Sequence, residues 1–83
     1  MYANTFCGLQ HWYEHMFEKL GWMVIANEKG MDYKITAYKK SIDHLIAAIN
    51  HVSMEYHDAD KIHDLHVLHM NTVCLQAFVK KCF

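Results

Sequence analysis

Residues 35–56 read ITAYKKSIDHLIAAINHVSMEY, and within them Ile35, Tyr38, Ile42, Leu45, Ile49, Val52 and Tyr56 recur at alternating steps of three and four. At about 100° per residue, such steps keep apolar side chains on one side of an α-helix; a half-buried strand would alternate every second residue instead. Ile46 widens this seam. The pattern predicts the central helix of a hairpin bundle and carries no information about activity.

The flanking residues extend the reading in both directions. Asn4 and Thr5 are candidate N-caps for a first helix over about 6–28, and Gly30 stands where a left-handed residue would end it. Asp32 is the expected cap of a second helix over 32–57, and Asp58 or Asp60 that of a third over 60–81, whose last turn holds Lys80 and Lys81. The connections are short, which favours antiparallel neighbours. The chain has no proline, the usual breaker of helices. All 83 residues are therefore expected to form one all-α domain, a three-helix antiparallel bundle.

In the first block Phe6, Leu9, Trp12, Tyr13, Met16, Phe17, Leu20, Met23 and Val24 fall within an arc of roughly 140°. That arc is the expected core stripe. Trp22 and Ile25 lie outside it, on the side that carries His11, His15 and Glu18, so either a neighbouring helix or the N-terminal arm covers them or they contact another subunit or partner. Gly21, in mid-helix, suggests a close helix approach or a bend. The third block has two apolar stripes, one of Ile62, Leu65, Leu68, Leu75 and Val79, the other of Val67, Cys74 and Phe78. A helix that meets two neighbours would use both, and the alternative is that one stripe is an oligomer interface. A domain of this size buries a comparatively small share of its surface and profits from association. The expected interface residues are Trp22, Ile25, Val67, Cys74 and Phe78.

Composition narrows the partners. All eight basic residues are lysines and the formal charge is −1, so the Arg-bearing basic stripe of a nucleic-acid reader is missing. The eight histidines would carry the chain to +7 if all were protonated. Cys7, Cys74 and Cys82 are odd in number and form no CxxC, which reads as free thiols in an intracellular protein. Cys74 and Cys82 stand about 12 Å apart along one helix and cannot bridge. The longest strongly apolar run, Leu20 to Ala26, is too short to span a bilayer, and the start of the chain has no export pattern. Neither nucleic acid nor membrane is an expected partner; protein is, as a second copy or another chain.

The histidines raise the question of a metal. His11 and His15 form HxxxH, the spacing by which one helix offers two imidazoles to Zn, Cu or Ni, but without the glutamate order of a zinc protease and with no third ligand nearby in sequence. A metal-binding bundle using this pair and a ligand from another subunit is the alternative to an interaction protein. A di-iron centre would need inward carboxylates and paired Glu-x-x-His motifs. Glu14, Glu18, Asp43 and Glu55 fall away from the apolar stripes instead, and no such pair is present. His63, His66 and His69 drift around the helix by about 60° per step and cannot face one ion; His69 reads as a core or boundary histidine. Protonation of histidines could also repel subunits in a pH-responsive assembly. With no GxSxG, no phosphate-cradling loop and three glycines in all, the expectation is a protein without catalytic residues or cofactor.

The W-Y-x-H-M-F-E-K-L-G-W-M-V core around Gly21 and Trp22, the K-x-x-x-Y-K-x-S-I-x-x-L start of the second helix and the H-D-L of the third resemble a group of small uncharacterised helical proteins. These are encoded by large DNA viruses of algae and protists and by aquatic phages. The resemblance covers about residues 9–75. It implies a viral accessory or virion-associated role, in host cytoplasm or virion, and transfers no functional residue.

Overall fold

The computed structural model describes residues 5–83 as three helices, α1 (Phe6–Glu28), α2 (Asp32–Ser53) and α3 (Ala59–Cys82), with no strand among the described residues. They pack as the expected three-helix bundle, 45 × 23 × 16 Å overall. α2 lies along both neighbours, whereas α1 and α3 meet over much less of their length. The reason is the quoted seam: Ile35, Tyr38, Ile42, Leu45, Ile49 and Val52 are all buried. Removing each large aliphatic side chain from water contributes about 1.5–3 kcal/mol before ordering costs, and α2 concentrates these contributions on one face.

The helix ends follow from local chemistry. The Thr5 hydroxyl accepts the Gly8 N–H at 3.0 Å and caps α1, while the other candidate cap, Asn4, lies outside the described residues. At the far end Gly30 adopts φ 70°, the Gly30 N–H reaches the Asn27 carbonyl at 3.2 Å, and the Met31 N–H reaches that of Ala26 at 2.8 Å. This double closure needs a left-handed residue, which only glycine supplies without a Cβ penalty.

Two expected boundaries are corrected. Asp32 is not the cap of α2; Met31 holds that position without a side-chain hydrogen bond, and Asp32 is the first helical residue, where a carboxylate still favours the helix dipole. α2 ends at Ser53 rather than at 57. The Ser53 hydroxyl turns back to the Ile49 carbonyl at 2.7 Å, and the chain must leave the helix early enough for Asp58 to become the extended cap of α3, accepting the Asp60 N–H at 2.9 Å. Tyr56 accordingly packs against the core from the connection and not from the helix.

α1 contributes Leu9, Met16, Met23 and Ala26 to the core, and α3 contributes Leu65, Leu68, Thr72, Leu75 and Val79. Phe6, Trp12, Tyr13 and Leu20 are partly buried against them. Three expected core residues are not covered: Phe17 is 57% exposed, Val24 46% and Ile62 44%. The apolar arc of α1 is broader than the surface its two neighbours cover. Two buried residues carry polar groups, and both are satisfied. The Thr72 hydroxyl donates to the Leu68 carbonyl at 2.8 Å, and the Tyr38 hydroxyl donates across to the Met16 carbonyl of α1 at 2.5 Å. Burial, reinforced by nearby Tyr13, pushes the Tyr38 phenol up to about 12. Gly21 faces open space, so of the two expectations there, the close helix approach is not found.

Candidate functional site

α3 carries two seams one residue out of step. Leu65, Leu68, Thr72, Leu75 and Val79 are buried; Asp64, Val67, Asn71, Cys74 and Phe78, each the residue immediately before, are all exposed. α1 has the matching feature. Phe6, Gln10, Tyr13, Phe17, Leu20 and Val24 follow steps of four and three, and each remains at least partly open. Parallel sets of this kind are what helices show when they pack against partners on two sides.

The two uncovered seams converge. Tyr13, Phe17 and Leu20 face Cys74, Leu75 and Phe78 across a cleft of about 340 Å³, and Phe6 and Gln10 continue it toward Asp64, Val67 and Asn71 in a further 210 Å³. The Tyr13 and Phe17 rings stand 6.2 Å apart, tilted by 37°, as a connected aromatic wall. Burial, with Cys74 nearby, pushes the Tyr13 phenol up from its usual range. Gln10 and Asn71 supply hydrogen-bonding groups, and Glu14, His63 and Asp64 line the end near Phe6, while the walls around Phe17 and Phe78 are mainly carbon. Chemically, this groove can take an apolar helix ridge.

The expected interface residues separate onto different faces. Val67, Cys74 and Phe78 meet in the α1–α3 groove, together with Phe17 from the expected core stripe of α1. Trp22, 68% exposed, lines a different cleft between α1 and α2. Ile25, also exposed, lies between the two faces of α1. The signal that marks the α1 wall is present in the sequence as the three-four spacing from Phe6 to Val24.

The titratable candidates lie at the surface. His11 and His15 are exposed on α1, and no group of three His, Cys, Asp or Glu among the described residues is arranged to hold a metal ion. His51 and Glu55 make a 3.5 Å surface contact, and His69 is half-buried, a boundary residue as read from its position. Glu14, Glu18, Asp43 and Glu55 are exposed, as are the free thiols of Cys7, Cys74 and Cys82. No described helix is long and apolar enough to cross a membrane. No family model, curated protein or solved structure matches the chain.

Proposed function

We propose that the protein is a non-enzymatic interaction module that self-associates by laying the α1–α3 groove of one copy against that of another. The observation that supports this most is the second seam: five exposed positions of α3, each just before a buried one, and six positions of α1 that stay exposed or half-buried, all at heptad spacing. A second copy is favoured over an unrelated chain by charge. α3 has Asp60 and Asp64 at its start and Lys80 and Lys81 at its end, so two copies running antiparallel set acid near base at both ends of one two-fold interface. Phe17 and Phe78 are the anchors, with Val67 and Cys74 between the polar ends. The viral accessory or virion-associated role implied by the sequence resemblance is compatible with such an assembly and belongs to the same proposal.

Sedimentation equilibrium of the wild type and of Phe17→Glu/Phe78→Glu tests it. The wild type should dimerise with a Kd on the order of 1–100 µM, as suits a small interface. The double variant should sediment as a monomer with unchanged far-UV circular dichroism. A wild type that stays monomeric at several times the upper end of that range overturns the reading.

A further inference from the structure

We propose that the α1–α2 cleft is a binding site for a small planar aromatic anion, independent of the self-association groove. Trp22 projects from α1 about 140° around the helix from Phe17, so the two sites use different faces. The cleft is open to solvent on one side and has a volume of about 510 Å³, within the range of small-molecule sites.

Its parts are complementary to one chemical class. The floor is made by Met16, Met23 and Tyr38, all buried, and the Tyr38 hydroxyl is already committed to the Met16 carbonyl. The floor therefore offers polarizable and aromatic surface with no free polar group, which suits the apolar body of a ligand. One wall is the indole of Trp22, 68% exposed, on which no other ring stacks among the described residues. Opposite it α2 presents Ala37 and Ser41, one turn apart and small, which leaves the width of the cleft open.

The rim is cationic. Lys19 enters from α1 and Lys34 from α2, and neither pairs with a carboxylate among the described residues. His15 adds a third nitrogen base, against the single carboxylate of Glu18. A flat ring lying against the indole places an attached carboxylate or sulfonate toward the two ammonium groups. A neutral ring gains the stacking alone, and a cationic one meets two like charges.

Titration with 2-naphthoate, followed at the Trp22 indole N–H in ¹H–¹⁵N correlation spectra, tests the assignment; loss of the cross-peak in Trp22→Phe identifies the signal. The expected result is a saturable shift with 2-naphthoate that weakens about tenfold in Lys19→Gln/Lys34→Gln, the sum of two modest exposed charge contacts. Neutral 2-naphthalenemethanol should bind the wild type about as weakly as naphthoate binds that variant. The same behaviour is expected in the Phe17→Glu/Phe78→Glu background, so failure of self-association and failure of this site are separate results. Equal affinity for naphthoate and the alcohol, an unaffected Lys double variant, or no saturable shift overturns the proposal.

Discussion

α2 and α3 treat their apolar residues differently. α2 has one seam and buries it from Ile35 to Val52 between its neighbours, with Tyr38 bonded to the α1 backbone and the Gln76 amide donating to the Asp43 carboxylate on the α3 side. α3 has two seams, buries one and leaves Val67, Cys74 and Phe78 open. The difference teaches that apolar spacing in this chain encodes two kinds of contact, one needed for the monomer to fold and one left over once it has folded.

The sharpest way to break that distinction is to truncate one residue of each kind. Leu45→Ala removes a fully buried side chain and should lower stability by about 2–5 kcal/mol in urea denaturation. Phe78→Ala, at 52% exposure, should lower monomer stability by less than about 1 kcal/mol while weakening self-association. Comparable losses for the two would mean that the second seam also belongs to the fold.

High pH, compared between the wild type and Tyr38→Phe, probes the α1–α2 contact. The Tyr38 phenol is raised from 10.0 to about 12 in the folded protein, so the folded state holds this proton more tightly than the unfolded state. Its stabilisation is complete below pH 10 and is lost as pH rises through about 12, amounting to roughly 2–3 kcal/mol. Denaturation midpoints across that window should fall more steeply for the wild type than for Tyr38→Phe, which lacks the titrating group.

Gly21 and Gly30 differ in geometry and offer a smaller test in opposite directions. Gly21 is helical with nothing within 4 Å of an added Cβ, so Gly21→Ala should stabilise by about 1 kcal/mol. Gly30 holds φ 70°, and Gly30→Ala should destabilise by about 1–2 kcal/mol, both read from thermal unfolding. The smallest effect concerns register in the proposed dimer. Asp64→Lys and Lys81→Asp should each weaken dimerisation about threefold, and the combined exchange should restore it in sedimentation experiments; no change in any of the three would rule out the antiparallel arrangement while leaving self-association intact.

The inward face of the one-seam helix, Ile35 to Val52, was legible in sequence because its period alone determines which residues turn inward. Gly30 and Asp58 marked helix ends because each has a distinct backbone or capping role. The end at Ser53 was not legible, since no glycine stands there and the seam runs on to Tyr56, which reaches the core from outside the helix. Phe17, Val24 and Ile62 were misplaced for a different reason: how far α1 and α3 approach each other is a property of the assembled bundle, and the period of a single helix does not contain it. For the candidate site, the second stripe of Val67, Cys74 and Phe78 could be read directly. That Trp22 stood off the core stripe was visible too, but not that α2 would supply Lys34, Ala37 and Ser41 opposite it, because that depends on the register of two helices.

The connection between α2 and α3 has a practical consequence. It depends on no left-handed residue, and its exposed His57 lies between Tyr56, anchored on the core, and Asp58, which caps α3. Closing a longer loop costs only about 0.6 kcal/mol for each doubling of its length. A peptide tag grafted between His57 and Asp58 would keep both anchors, which makes this the natural point at which to attach a reporter to the chain.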